Sequence, residues 1–212
     1  MTIDSDPRAA LRILDAIDTD LVALDAQAVR TSIELVSHVT TTDLAKPTPC
    51  ADWTLHGLLT HMIAQHYGFA AASRGEGDPA LWKLRRLGDD PAESYRAAAE
   101  HVIAAFAEDG VPERKFPLPE FTTDFEFSGA QAVGFHFIDY VVHSWDVART
   151  LGRTVSFDDR LLAAARVVAE AVPGGEVRLA PGAAFAPEIS FSGDSALDGI
   201  VAMLGRSPNW PH

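Results

Sequence analysis

The chain has 212 residues, of which 47% are hydrophobic and 22% charged, and its formal net charge is −13. This composition is ordinary for a globular protein, and the length is sufficient for one substantial domain. The excess of acidic residues disfavours nucleic acid and anionic membranes as partners, because both carry negative charge themselves.

The first half of the chain predicts three helices. Apolar residues spaced three and four apart predict a long helix over residues 11–38. Thr54 is a suitable N-cap for a second helix that runs to about residue 72. The tetrapeptide Asp90-Pro91-Ala92-Glu93 combines a cap, a proline at the first helical position and a capping-box acid. It therefore predicts a third helix, which ends near residue 108.

The second half of the chain predicts one further long helix and two short ones. Ser128, with Gln131 as its capping-box partner, begins a fourth helix that continues to Thr150. Shorter helices are predicted over residues 157–171 and 195–204. The fourth helix is mostly apolar, so the few ionisable residues inside it need an explanation.

Four long helices joined by loops predict a mainly all-α fold, with a four-helix bundle over residues 1–155. The remaining residues, 156–212, form a short extension that we expect to pack on the bundle. This extension is either α/β or irregular, because the brief apolar runs around Val177 and Ile189 suit both strands and coil.

The chain also carries signals about its compartment. No run reaches the roughly 18–20 apolar residues that a membrane span needs, and residues 1–20 are too acidic for a signal peptide. Cys50 is the single cysteine and cannot form an internal disulfide, which agrees with a reducing compartment. These features predict a cytoplasmic protein in which Cys50 is a structural thiol and not a nucleophile.

The fourth predicted helix carries a carboxylate and an imidazole one turn apart, at Asp139 and His143. Positions i and i+4 lie on one helical face with Cβ atoms about 5–6 Å apart, so both side chains can reach the same point. Burying such groups is unfavourable unless a partner compensates them. A divalent cation is one such partner, and a direct hydrogen-bonded pair between the two residues is the alternative.

His61 lies on or near the apolar face of the second predicted helix. If the second and fourth helices are neighbours, His61 faces Asp139 and His143 and completes a set of three protein ligands. Three ligands leave an open coordination position, which is typical of catalytic metal sites. The mixed nitrogen and oxygen donors suit zinc, nickel, iron or manganese. Without a metal, His61 would be an ordinary core or boundary histidine.

Two polar neighbours extend this candidate site. Asp146 lies three residues after His143, and it either accepts a hydrogen bond from that ring or forms a surface ion pair with Arg149. His136 precedes Asp139 by three residues and is placed to line the same cavity.

Other residues have open interpretations. His66 follows His61 by five residues and points elsewhere on an ideal helix. Three phenylalanines in the segment before the fourth helix either form the wall of a hydrophobic pocket or belong to the core: Phe121, Phe125 and Phe127.

Several motifs of the chain resemble those of a known family. They are PTPCADWT at residues 47–54, LLTH at 58–61, DYVVHSWDVAR at 139–149, LG at 151–152 and ALDGIVAMLGR at 196–206. With these motifs the chain resembles the DinB-like superfamily of metal-dependent enzymes. Within it, the chain is most similar to the branch that contains the N-terminal domain of mycothiol-dependent maleylpyruvate isomerase, and to a group of short actinobacterial metal-binding proteins in that branch.

The resemblance implies a DinB-like four-helix bundle that holds a divalent metal through His61, Asp139 and His143. Zinc is favoured, with nickel, iron or manganese as alternatives. The resemblance also implies a low-molecular-weight thiol such as mycothiol, used in S-transfer or isomerisation of a small electrophile. The isomerase has Glu where this chain has Asp139, whereas the short group often uses Asp. The isomerase also has a larger C-terminal domain, so its own substrate is not implied here.

Two other classes of function stay open at this point. One is a non-catalytic metal-binding or small-ligand-binding protein of the same fold. The other is a helical interaction module in which the Asp139–His143 pair is only structural. A homodimer is compatible with any of these, because bundles of this kind often pair. A direct bond between Asp139 and His143 without a metal would support the third class, and divergence of His61 from the other two side chains would rule out the enzymatic one.

Overall fold

The computed structural model describes Leu14 and residues 20–50, 53–180 and 182–211. The mainly all-α prediction is confirmed in this part of the chain. None of the described helices combines the length and the apolar character of a membrane span. The α-helices are α1 Leu21–Val36, α2 Leu55–Ala72, α3 Pro91–Phe106, α4 Gly129–Thr150, α5 Asp159–Ala171 and α6 Ala196–Met203.

Two short strands precede α4. Strand β1, Lys115–Phe116, pairs antiparallel with β2, Phe127–Ser128, so that Phe116 lies opposite Phe127. The ten residues between the strands therefore form a loop with both ends fixed by backbone hydrogen bonds.

The first compact unit, Asp20–Val155, is a four-helix bundle. Helices α1 and α2 each pack on both α3 and α4, so the four helices close a ring around one core. The core is filled by aliphatic and aromatic side chains that are fully buried, among them Leu24, Val29, Leu58, Leu59, Tyr95, Val102, Phe137 and Val141. Burial of these side chains is the main stabilising contribution to the bundle.

The predicted first helix is interrupted at residue 20, between the helical Leu14 and the helix α1. Asp20 is its N-cap, and the Asp20 carboxylate accepts a hydrogen bond of 3.0 Å from the backbone N–H of Ala23. A short polar side chain that satisfies a backbone donor in this way favours a helix start over a helix interior. The part of the predicted helix that precedes Asp20 lies, apart from Leu14, outside the described residues.

Helix α4 is the central element of the bundle. It is 22 residues long and begins with the predicted capping box of Ser128 and Gln131. Most of its side chains are buried. Half-exposed positions recur every four residues, at Gln131, Phe135 and Asp139, and therefore form one stripe along the helix.

The second compact unit contains Leu14 and residues 156–180 and 182–211 among those described. Helices α5 and α6 pack on each other. The segment Gly175–Leu179 is a 3₁₀ helix, and neither Val177 nor Ile189 lies in a strand, so the described part of the extension is helical and irregular. Arg178 stabilises this segment. Its guanidinium donates hydrogen bonds to the carbonyl oxygens of Pro173 at 2.7 Å and Met203 at 2.6 Å. That the extension packs on the bundle stays a prediction.

Gly129 is required by a close approach of two backbone segments, which gives a testable prediction. A Cβ atom at this position would lie 1.9 Å from the carbonyl oxygen of Val111. Because a backbone segment must shift to relieve that clash, Gly129→Ala is expected to lower the free energy of unfolding by about 1–3 kcal/mol.

The matched control is Gly57→Ala in α2, where an added Cβ would meet nothing closer than 3.8 Å. This change is expected to be neutral or to stabilise by up to about 1 kcal/mol. Urea unfolding followed by circular dichroism measures both variants. Equal stability of the two variants would contradict the steric argument.

Candidate metal centre

Helices α2 and α4 lie side by side and run in opposite directions. The Tyr140 hydroxyl of α4 donates a hydrogen bond to the Met62 carbonyl of α2. Four residues further along α2, His66 contacts His136, which lies four residues back along α4. The residue before Met62, His61, therefore faces the part of α4 around Asp139.

The three predicted ligand residues converge at this point. The Nε2 atom of His143 lies 3.2 Å from Oδ1 of Asp139, and the Nε2 atom of His61 lies 3.9 Å from Oδ2 of the same carboxylate. The two imidazole rings are 5.5 Å apart between centroids and nearly perpendicular. The carboxylate of Asp139 thus stands between both rings, with one oxygen directed to each.

The spacing of the donor atoms fits a divalent cation. One donor atom from each of the three residues lies within 4.8 Å of the others. Ligand atoms arranged tetrahedrally at about 2.0–2.2 Å from zinc are themselves about 3.3–3.6 Å apart. The separations of 3.2 and 3.9 Å from the Asp139 carboxylate to the two imidazoles bracket this range, and two imidazoles with one carboxylate are a donor set that divalent transition metals accept.

The centre is partly open to solvent. The side chains of His61 and Asp139 are 25% and 22% exposed, whereas that of His143 is 4% exposed. The ring of Trp53 packs at 4.6 Å from the ring of His61 and covers it from the N-terminal side of α2. His61 and Asp139 are therefore partly accessible to solvent, whereas His143 lies beneath them.

Asp146 is the partner of His143. Its Oδ2 atom lies 2.9 Å from Nδ1 of His143, and the side chain is fully buried, so the alternative of a surface ion pair with Arg149 is wrong. A carboxylate at this distance accepts the hydrogen of Nδ1. The hydrogen bond fixes the orientation of the ring and directs Nε2 toward Asp139, which is the arrangement seen around metal-binding histidines.

The charges of these groups are strongly coupled. Burial disfavours the charged form of Asp139, but the charge and the hydrogen bond of His143, followed by the charge of His61, lower its pKa to about 2. Burial also disfavours the charged form of His143, but Asp139 and then Asp146 raise its pKa to about 10. The Asp139 carboxylate and positive charge on the neighbouring imidazole therefore stabilise each other.

A second polar cluster, which the sequence pattern did not predict, lies in the core of the bundle. His136 is fully buried, and its Nδ1 atom lies 2.6 Å from Oδ1 of Asp25 in α1. Its Nε2 atom lies 3.2 Å from Nδ1 of His66. The ring of His66 stacks on Tyr140 at 4.1 Å. His136 is thus engaged with Asp25 and His66 in the core and does not contribute a donor to the three-residue centre.

Burial governs the titration of this cluster. It raises the pKa of Asp25, with His136 acting in the opposite direction. It lowers the pKa of His66 well below its ordinary value, and the charges of His136 and His101 add to that effect. The pattern of α1 contained a signal for the cluster, because Asp25 lies between Leu24 and Ala28 on the face that the apolar residues define. A carboxylate there must find a buried partner.

Comparison with known proteins identifies relatives of this chain. The family model described as the mycothiol maleylpyruvate isomerase N-terminal domain matches residues 26–148. Two uncharacterised proteins of Mycobacterium tuberculosis, one from strain CDC 1551 and one from strain H37Rv, are each 30% identical over 174 residues. That alignment covers 82% of this chain and 90% of each relative. The match to the family model contains all three residues of the centre.

The buried pair of Asp25 and His136 gives a prediction about stability. Asp25→Ala removes the acceptor of His136 Nδ1 inside a site that water does not reach, so the free energy of unfolding is expected to fall by about 1–3 kcal/mol. Asp25→Asn keeps an acceptor oxygen and is expected to lose less. Exposed Asp89 provides the control, because Asp89→Ala should change stability by less than about 0.5 kcal/mol. Equal unfolding curves for Asp25→Ala and Asp89→Ala in urea would contradict the prediction.

Proposed function

Because the chain belongs to the mycothiol maleylpyruvate isomerase N-terminal domain family, we propose that it is a metal-dependent enzyme that uses a low-molecular-weight thiol. Its metal ligands are His61, Asp139 and His143, and the metal is zinc. The thiol is mycothiol or a similar molecule, and the reaction is S-transfer to, or isomerisation of, a small electrophile. The observation that carries the proposal is the convergence of three donor atoms at a partly exposed edge of the bundle.

The donor set supports a catalytic site more than a structural one. Structural zinc sites in proteins have four protein ligands, whereas catalytic sites have three and leave a position for water or substrate. Only three candidate donors meet here among the described residues. When bound, a divalent cation acts as a Lewis acid and lowers the pKa of a water or thiol that it holds.

The residues of the chain have separable roles in this proposal. His61 and His143 supply nitrogen donors from two helices, and Asp139 supplies a carboxylate that offsets the positive charge. Asp146 positions His143 through the hydrogen bond to Nδ1. Trp53 covers one side of His61 and restricts the access of water from that direction.

The chemistry of the proposed reaction balances without a redox partner. When the thiol adds to an activated double bond, the S–H bond and the π bond break and a bond forms between sulfur and the electrophilic carbon. The proton passes through solvent to the neighbouring carbon. In isomerisation the proton stays in solvent, the adduct rotates about the former double bond, the sulfur–carbon bond breaks as the π bond forms again, and the released thiolate takes up the proton.

Metal binding is the first testable part of the proposal. The wild-type protein, purified without added metal, is expected to contain close to one equivalent of a divalent metal, measured by inductively coupled plasma mass spectrometry. His143→Ala is expected to lose most of it. Asp146→Asn retains the three donors but not the carboxylate acceptor, so its metal affinity is expected to fall about 10–100-fold in a chelator competition.

His56 in α2 is exposed and lies near His61 in the sequence, so His56→Ala is the matched control and should retain the metal. Trp53 gives an independent readout, because its ring contacts His61 and its fluorescence should change on titration with Co²⁺. Equal metal content in the wild type and His143→Ala would refute the ligand assignment.

Thiol-dependent turnover tests the enzymatic part. Metal-loaded protein is mixed with mycothiol and a panel of electrophiles that includes α,β-unsaturated carbonyl compounds, epoxides and alkyl halides. Consumption of free thiol and formation of the conjugate, measured by mass spectrometry, are expected for the wild type and not for His143→Ala. If the wild type holds its metal but neither protein exceeds the uncatalysed rate with mycothiol and any electrophile of the panel, the non-catalytic metal-binding alternative is supported instead.

A further inference from the structure

The loop between β1 and β2 contacts both helices that carry the candidate metal ligands. On the α2 side, the Gln65 side-chain amide donates a hydrogen bond of 2.7 Å to the Glu120 carboxylate. On the α4 side, the ring of Phe121 stacks on the ring of Phe135, with centroids 5.5 Å apart and planes 15° apart. Two consecutive loop residues thus bridge α2 and α4.

The loop lies directly beside the metal centre. Gln65 follows His61 by four residues, and Phe135 precedes Asp139 by four residues. Since residues four apart share one face of a helix and the two helices are antiparallel, Gln65 and Phe135 form the layer of side chains next to the three donors. Phe135 and Asp139 also belong to the same half-exposed stripe of α4. The rings of Phe121 and Phe135 therefore lie in the layer of side chains that adjoins the donors.

The surface offered by the loop is aromatic. Phe121 and Phe125 are 47% and 42% exposed, whereas Phe127 beneath them is buried. Ring contacts of 5.0–6.0 Å join Phe121, Phe125 and Phe135 through Phe127. Exposed phenylalanines held in place by a buried aromatic cluster are a surface that gains free energy when an apolar molecule covers it.

The charge of the loop is negative. Glu120, Asp124 and Glu126 are exposed, and residues 117–127 contain neither lysine nor arginine. An anionic group placed against the rings would meet like charge without a compensating cation from this segment. The loop therefore favours an uncharged apolar ligand over one that carries a carboxylate or sulfonate at the same place.

We propose that the rings of Phe121, Phe125 and Phe135 bind the uncharged, apolar part of the electrophile beside the candidate metal centre, and that the acidic side chains of the loop exclude anionic electrophiles. This inference rests on the proposed function for the identity of the ligand as substrate. The binding surface itself exists whether or not a metal is held at the donors, and this allows the two proposals to be tested separately.

A pair of fluorescent probes tests both halves of the inference. N-phenyl-1-naphthylamine is uncharged, and 8-anilinonaphthalene-1-sulfonate has the same ring system with one added sulfonate. The uncharged probe is expected to bind the full-length, metal-free protein more tightly than the sulfonate. Phe121→Ala, which removes an exposed ring, is expected to weaken binding of the uncharged probe about tenfold. The double variant Asp124→Asn with Glu126→Gln should bind the sulfonate more tightly and leave the affinity for the uncharged probe unchanged.

Two control variants exclude binding elsewhere. Leu84 is 69% exposed and belongs to the same unit. Leu179 is 71% exposed and lines a groove of about 710 Å³ in the C-terminal unit. Neither Leu84→Ala nor Leu179→Ala should alter the affinity for the uncharged probe. An effect of Leu179→Ala equal to that of Phe121→Ala would place the probe in the C-terminal groove and overturn the inference.

The remaining outcomes are also decisive. Equal dissociation constants of the uncharged probe for the wild type and Phe121→Ala would overturn the proposed aromatic surface, and equal affinity of both probes would overturn the exclusion of anions. In cobalt-loaded protein, the proton resonances of the bound uncharged probe should broaden relative to zinc-loaded protein, because the surface adjoins the metal centre. A protein that binds the probe through Phe121 but holds no metal would refute the proposed function and leave the binding surface established.

Discussion

The antiparallel packing of α2 on α4 is the constraint on which both polar clusters depend. It sets residues of α2 opposite residues of α4 in a fixed order, so that Met62 meets Tyr140 and His66 meets His136. A slip of one helix past the other by a single turn would displace His61 by about 5 Å along α4, away from Asp139. The positions of the three donor side chains therefore depend on the register of α2 and α4. The apolar core that fixes this register also fixes those positions.

The bundle contains two pairs of aspartate and histidine, and their different exposure gives them different uses. Asp25 and His136 are fully buried in the core with His66. The contacts of His136 with Asp25 Oδ1 and with His66 Nδ1 satisfy part of the polar atoms of this cluster. Asp139 and His143 lie at the edge, where Asp139 is 22% exposed. The same two residue types thus act as internal structure at one place and as an accessible donor set at the other.

The sequence predicted those features of the site that depend on residues close together in the chain. Asp139 and His143 are four residues apart in one helix, so their proximity follows from helical geometry alone. His61 joined them only under the assumption that α2 and α4 are neighbours, which the packing of the bundle supports. The caps at Asp90 and Ser128 were also predictable, because each depends on residues within three positions.

The part that the sequence did not predict depends on distant contacts or on burial. Asp25 and His136 are 111 residues apart, and His66 and His136 are 70 residues apart. No periodicity along one helix reports such pairings. The partner of Asp146 stayed open for a related reason, since three-residue spacing to both His143 and Arg149 allows either contact. Only the full burial of Asp146 decides between them.

The position of the Asp139 carboxylate makes the centre asymmetric. Asp139 lies nearer to His143 than to His61, at 3.2 Å against 3.9 Å. Asp146 holds His143 from the other side, so two of the three donors are fixed on α4 by contacts within that helix. His61 is more exposed and comes from a different helix. In the proposed function, the pair on α4 would therefore define the position of the cation, and His61 would be the donor with more freedom to adjust.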